Sequence, residues 1–113
     1  MKNNYILRLE SSIKRTLSDI INFEVKNNIG FVTITDCDLL PDLSRLTVYY
    51  TVLSSKDKKK AKEGLEGSKK FIRAALCSRV EMRKAPELVF KYDDSYENGS
   101  RIDELLESIK NNS

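Results

Sequence analysis

Residues 69–92, KKFIRAALCSRVEMRKAPELVFKY, predict a helix followed by a strand, and this stretch decides the fold of the 113-residue chain. Apolar residues in its first half recur with the 3.6-residue period of an amphipathic helix. They are Phe71, Ile72, Ala75, Leu76 and Val80. Pro86 ends the predicted helix, because the residue before a proline is driven out of the α region. Residues 88–92 then alternate like a half-buried strand, so the stretch predicts a basic helix held against a sheet by its apolar side.

Positive charge is concentrated in the middle of the chain. Residues 56–84 contain eleven lysines and arginines against four acids, whereas residues 1–55 contain six of each and residues 85–113 contain three against seven. Such a block is typical of nucleic-acid-binding surfaces, although solvated lysine-rich faces are also common. We interpret the protein as an RNA binder whose contacts are cations of this block. The candidates are Lys59, Lys60, Lys62, Lys69, Lys70, Arg73, Arg79, Arg83 and Lys84.

Elements upstream of this stretch predict a helix and a β-hairpin. Residues 4–26 have apolar side chains at steps of three and four, which predicts the first helix. Residues 31–35 and 46–53 are rich in β-branched and aromatic residues, which predicts two strands joined by a turn at residues 40–44.

A bend is predicted inside the next helical region. Gly64 and Gly67 would each cost about 1 kcal/mol in a helix interior, which favours a break before the Phe71 helix. After the third strand, residues 100–109 predict a short last helix. The order is α-β-β-α-(kink)-α-β plus a C-terminal helix, an α+β domain over residues 1–110 with a three-stranded sheet, and residues 111–113 are expected to fray.

Composition argues against membrane, secreted and metal-binding classes. No apolar run approaches the 18 residues or so of a spanning helix, and the first residues lack the apolar core of a signal peptide. Cys37 and Cys77 have neither a C-x-x-C spacing nor a companion histidine, so we expect reduced thiols in a cytoplasmic protein. We expect no metal and no cofactor.

Catalysis has little support in the sequence. The chain has no histidine, the commonest general base. Asp36 and Asp38 share a strand face and could form a carboxylate pair, although acids at strand ends are usually ordinary surface residues. Cys77 has no identifiable base partner. We therefore expect a protein that is not an enzyme.

Two further features allow both a binding and a structural interpretation. Residues 64–67, GLEG, have the G-x-x-G spacing with which KH domains clamp nucleic-acid backbone, but Glu66 would repel phosphates and Leu65 has the character of a core residue. Tyr49 and Tyr50 could stack on bases, although aromatic residues are common in strands for structural reasons.

Several segments resemble the ribosome-binding factor A family across almost the whole chain. The most specific of them are FIRAAL at residues 71–76, Arg79, Arg83, PEL at residues 86–88, VFKYDDS at residues 89–95 and NGSRIDELL at residues 98–106. The resemblance implies a KH-like domain of the type II topology. In this family an A-x-G motif replaces G-x-x-G at the helix kink, and it aligns with Ser68, Lys69 and Lys70. Because Lys70 departs from glycine, Gly67 is the alternative source of the bend.

The resemblance also implies a function. Members are non-catalytic assembly factors that bind the immature small ribosomal subunit and its rRNA and support late maturation, including 5′-end processing of that rRNA, especially in the cold. We therefore expect a monomer with no small-molecule substrate.

Two alternatives belong to other functional classes. The basic helix could bind an acidic protein partner, or Asp36 and Asp38 could serve a small enzyme. At the level of single residues, Arg73 could anchor the sheet instead of contacting RNA.

Overall fold

The structure of this protein is a computed structural model that describes residues 2–25 and 32–95, and the side chain of Ser55 is not described. Several sequence predictions therefore lie outside the described residues. They are the end of the first helix at residue 26, the start of the first strand at residue 31, the C-terminal helix at residues 100–109, the domain end at residue 110 and the frayed tail at residues 111–113.

The first helix, α1, spans Asn4–Asp19 and continues into a π-helical turn at Ile20–Glu24. Asn3 caps its start, since the side-chain oxygen accepts a hydrogen bond of 2.9 Å from the amide of Ile6. The π-helical turn is closed by the amide of Val25, which donates to the carbonyl of Ile20 at 3.1 Å. The buried residues of this region match the predicted apolar stripe. They are Ile6, Leu9, Ile13, Leu17, Ile20 and Ile21.

Three strands form one mixed sheet in the order β1-β2-β3. Strand β1 spans Val32–Leu39, β2 spans Arg45–Val52 and β3 spans Glu87–Tyr92. The β1–β2 pair is antiparallel and the β2–β3 pair is parallel, as a helical crossover between strands requires. On central β2, one face is fully buried under the helices and contributes Leu46, Val48 and Tyr50 to the core. The opposite face, which we call the open face, carries half-buried Tyr49.

A β-bulge in β1 keeps the apolar residues of that strand on one face. The pairing shifts between Ile34, opposite Tyr50, and Asp36, opposite Tyr49. Burial accordingly passes from Val32 and Ile34 to Cys37 and Leu39, a change from even to odd positions. One extra residue in the strand moves every later side chain to the other face, which is why β1 continues past residue 35, where its prediction ended.

The crossover from β2 to β3 contains the predicted helix break. A 3₁₀ turn at Ser55–Asp57 leads into α2, Lys58–Gly67, and α3, Lys69–Arg79, follows after Ser68. Ser68 has φ −102° and ψ 6°, outside the helical values of its neighbours. Its amide donates to the carbonyls of both Gly64, at 3.0 Å, and Leu65, at 3.2 Å, so the backbone hydrogen bonding is continuous through the bend.

The end of α3 was predicted wrongly. The helix ends at Arg79, because Val80 is extended, with φ −113° and ψ 117°, and its side chain is buried from that conformation. Arg83 and Lys84 therefore lie on a connection before β3 and not on the helix. Phe71 was predicted to face the core, yet it is 49% exposed, because Ile72 and Leu76 supply the buried side of α3.

Candidate nucleic-acid interface

Three of the candidate cations project from α2. Ala61 and Leu65 are fully buried and fix the inner side of this helix. Lys59, Lys60 and Lys62 are exposed on its remaining surface. A short helix whose inner side is apolar therefore presents three ammonium groups to solvent around its outer surface, where they can contact phosphates.

A groove lies between α3 and residues 85–88, beside the outer edge of β3. It has a volume of about 560 Å³, and its lining combines cations with small and apolar side chains. The lining residues are Lys69, Lys70, Arg73, Ala74, Cys77, Ala85, Glu87 and Leu88. Lys70 is exposed at this groove, whereas Glu87 gives part of its rim the opposite charge.

Lys69 is partly neutralised by the protein itself. Its Nζ lies 2.8 Å from Oε2 of Glu66 and 5.9 Å from the centre of the Phe90 ring. The second contact places an ammonium group over an aromatic face of the sheet. Lys69 thus links the helix bend to β3 as well as adding charge to the groove.

Arg73 holds the connection that precedes β3. Its Nε donates to the carbonyl of Pro86 and its Nη2 to the carbonyl of Ala85, each at 2.9 Å. These bonds correspond to the anchoring role that the sequence left open for this arginine. A guanidinium has five N–H donors, so three remain for a ligand.

Arg79 faces a carboxylate of the same chain. Its Nη1 and Nη2 donate to the two carboxylate oxygens of Glu24. This bidentate contact holds the pKa of Glu24 below its ordinary value and raises the pKa of Arg79.

Arg83 and Lys84 are exposed on the connection between α3 and β3. The guanidinium carbon of Arg83 lies 5.9 Å from the centre of the Tyr5 ring, which joins this connection to the first turn of α1. Arg8 is the i+3 neighbour of Tyr5 and is exposed, so it extends the same cationic area.

Sequence counting missed the cations of α1. Residues 1–55 contain equal numbers of acidic and basic side chains, but the acids do not all lie beside the bases in the folded protein. Glu10 and Asp38 both bind Lys2 at the β1 side of α1. Exposed Arg8 and Arg15 have no ion pair with a carboxylate among the residues that the structure describes. A helical projection of residues 4–24 could have shown that both lie opposite the apolar stripe.

The G-x-x-G tetrapeptide is helical. Residues 64–67 complete α2, the side chain of Leu65 is fully buried and Glu66 pairs with Lys69. This conformation differs from the open loop with which a KH domain holds phosphates.

The two candidate catalytic aspartates have structural partners. Asp36 accepts a hydrogen bond of 2.9 Å from the amide of Cys37, and Asp38 pairs with Lys2. Burial raises the pKa of the Cys37 thiol to about 12, so this thiol stays protonated at neutral pH.

Within residues 2–25 and 32–95, no group of three or more histidine, cysteine or acidic side chains could hold a metal ion. No helix in the same ranges is long and apolar enough to cross a membrane.

A three-stranded mixed sheet covered on one face by α1 and a broken helix pair, with cations around the break, defines a KH-like α+β domain. A family model described as Ribosome-binding factor A matches residues 6–106. The chain belongs to the ribosome-binding factor A family, which confirms the resemblance seen in the sequence.

Individual relatives agree with this assignment. Ribosome-binding factor A of Macrococcus caseolyticus is 42% identical over 104 residues, which cover 90% of this chain and 91% of the relative. The crystal structure of ribosome-binding factor A from Thermus thermophilus superposes with a TM-score of 0.69 at 29% identity, over 76% of this chain and 93% of that chain. A homology model of the Thermus thermophilus protein, fitted into a cryo-EM map of a 30S–RbfA complex, gives a TM-score of 0.65 at 29% identity, over 77% of this chain and 93% of that chain. The predicted fold class is thereby confirmed.

Proposed function

We propose that this chain is a non-catalytic assembly factor that binds the immature small ribosomal subunit through its rRNA. The observation that carries the proposal is the exposed cationic surface formed by α2, the α3 groove and the connection after α3, on a domain of this family. A Thermus thermophilus relative of the same fold has been fitted into a 30S complex, which supports the small subunit as the target.

The mechanism is electrostatic docking of the helix pair onto folded RNA. Each phosphate neutralised by a lysine or arginine releases condensed counterions, so the logarithm of the binding constant falls with the logarithm of the salt concentration by about 0.7–0.9 per contact. Because side chains cannot read the narrow major groove of A-form RNA, the shape of the RNA decides the site more than its base sequence does. Arg8 and Arg15 of α1 extend the surface available for these contacts.

The family assignment supports the finer parts of the proposal. The protein acts late in small-subunit maturation, including processing at the rRNA 5′ end, matters most in the cold and leaves before translation begins. It works in the cytoplasm as a monomer, without a cofactor or a small-molecule substrate.

Gradient fractionation of cell extracts tests the proposal. The tagged protein should sediment with small subunits and precursors of small subunits, not with complete ribosomes, and should move to the top of the gradient as salt rises. Ribonuclease treatment should release it. Sedimentation at the top in low salt would contradict the proposal, and binding that survives ribonuclease would instead favour an acidic protein partner.

A further inference from the structure

Arg79 and Glu24 join the ends of two helices that are remote in sequence. Arg79 is the last residue of α3, and Glu24 is the last residue of the π-helical turn that follows α1. The amide of Val25 closes this π-helical turn on Ile20, whose side chain is fully buried, so the backbone around Glu24 is fixed against the core. At the other end, Leu76 and Val80 bury the last turn of α3. The core therefore brings the two charged side chains together.

The Glu24 carboxylate binds the Arg79 guanidinium in the same geometry that a phosphate would use. The two Nη atoms of Arg79 bind the two oxygens of the Glu24 carboxylate, and a phosphate accepts the same fork of parallel N–H bonds. The contact is open to solvent, with 42% of the Arg79 side chain and 33% of the Glu24 side chain exposed. An incoming phosphate can therefore reach the guanidinium without unfolding either helix.

We propose that Glu24 is an internal competitor for Arg79, so that the arginine exchanges its carboxylate for an RNA phosphate when the protein binds. This inference rests on the proposed RNA-binding function. It identifies Glu24 as a residue that weakens the binding of RNA. Exposed ion pairs contribute little to stability, which makes the exchange feasible. The lowered pKa of Glu24 agrees with a carboxylate that is charged, and therefore competitive, throughout the neutral range.

Glu24 should affect RNA binding only through Arg79. A double-mutant cycle tests whether the effect of Glu24→Gln requires Arg79. We would measure binding to purified immature small subunits at several KCl concentrations for the wild type, Glu24→Gln, Arg79→Gln and the double variant. Glu63→Gln, alone and with Arg79→Gln, is the matched control, because Glu63 is an exposed acid on α2 without an ion pair among the described residues. Glu24→Gln should tighten binding several-fold with little change in the salt slope, because Arg79 contacts a phosphate in both proteins, whereas Arg79→Gln should lower the slope by about 0.7–0.9, the value of one phosphate contact.

The gain from Glu24→Gln should disappear in the Arg79→Gln background, whereas any small gain from Glu63→Gln should persist there. Equal effects of the two glutamate substitutions, or a Glu24→Gln gain that survives Arg79→Gln, would overturn the inference. Failure of the wild type to bind small subunits would instead overturn the proposed function. Melting temperatures show whether each variant is folded, and the Nε–Hε resonance of Arg79 should shift on RNA binding in the wild type; an unchanged resonance would also contradict the exchange.

Discussion

At the scale of single residues, Arg73 shows how a surface cation can serve the fold. Its guanidinium bonds two carbonyls of the connection before β3, and this connection sets where the edge strand starts. Hydrogen bonds from a charged donor contribute about 1.5–3 kcal/mol when shielded and less when exposed. The side chain is exposed, so the two bonds together fall toward the lower end of that range.

Arg73→Gln should lower the free energy of unfolding by about 1–2 kcal/mol, because two carbonyls lose their charged donor. Urea denaturation followed by circular dichroism measures the change. Lys70→Gln, on the same groove but without a described partner, is the control and should leave the unfolding midpoint nearly unchanged. Equal stability of the two variants would show that Arg73 does not hold the connection.

Cys37 should resist alkylation in the folded protein. Its side chain is 4% exposed, and burial raises the pKa of its thiol from the ordinary value of 9.0 to about 12. Raising the pH from 7 to 9.5 should therefore leave its labelling by iodoacetamide slow, whereas unfolding in urea should make it fast. Mass spectrometry of peptides separates Cys37 from half-buried Cys77, and rapid native labelling of Cys37 would contradict this picture.

The same pKa shift links stability to alkaline pH. The thiol of the unfolded chain ionises near its ordinary pKa of 9.0, whereas the folded thiol holds its proton until about 12. The stabilising contribution of this group is thus fully present below pH 9 and is lost as the pH rises toward 12.

At the scale of elements, the helix break is the feature that shapes the interface. Gly67 is the last residue of α2 and is exposed, whereas the departure from helical geometry is at Ser68. The bend therefore does not require the flexibility of glycine at position 67, and a residue with a Cβ atom should fit there.

Gly67→Ala should raise the free energy of unfolding by about 0.5–1 kcal/mol, because alanine loses less backbone entropy in a helix. The reciprocal control is Ala74→Gly, at an exposed position of α3, which should lower the free energy of unfolding by a similar amount. Both changes can be measured by urea denaturation. A lower free energy of unfolding for Gly67→Ala would show instead that the kink requires glycine at position 67.

The sequence predicted the elements better than their ends. Apolar periodicity located α1 and β3, because burial leaves a clear pattern of apolar positions. The β-branched and aromatic residues located β1 and β2, and the two glycines at positions 64 and 67 located the break. It extended α3 too far, since Val80 fits a helical stripe although its side chain reaches the core from an extended backbone. The bulge in β1 was missed because the extra residue interrupts the alternation of apolar and polar side chains that predicts a strand. The π-helical turn was missed because adjacent Ile20 and Ile21 also fit a wide α-helical stripe.

Site residues were less predictable than the fold, for a physical reason. A list of cations does not say which carboxylates or carbonyls lie nearby, and those partners come from distant parts of the chain. Glu24 reaches Arg79, Tyr5 lies beside Arg83, and residues 85 and 86 bind Arg73. Charge counts by segment likewise concealed Arg8 and Arg15.

At the scale of the whole molecule, charge is divided between two sides. The helix pair and the connection after it carry most of the exposed lysines and arginines of the described residues. The open face of the sheet carries Asp36, Asp38 and, after β3, Asp93, beside exposed Arg45 and Lys91. Hydroxyl hydrogen bonds from Ser95 and Thr35 lower the pKa of Asp93, so this carboxyl remains charged at neutral pH. We therefore expect a polyanion to be attracted more strongly to the helix side than to the open face, which would orient the protein before contact.

The salt dependence of small-subunit binding by two matched double variants tests this division most directly. Lys62→Gln with Lys70→Gln removes two exposed cations from the helix pair, and Lys14→Gln with Lys91→Gln removes two exposed cations from the β1 side of α1 and the open face. The first variant should reduce the salt slope by about 1.4–1.8, the value of two phosphate contacts, and the second should leave it unchanged. Equal slopes for the two variants would contradict an RNA-binding surface on the helix pair.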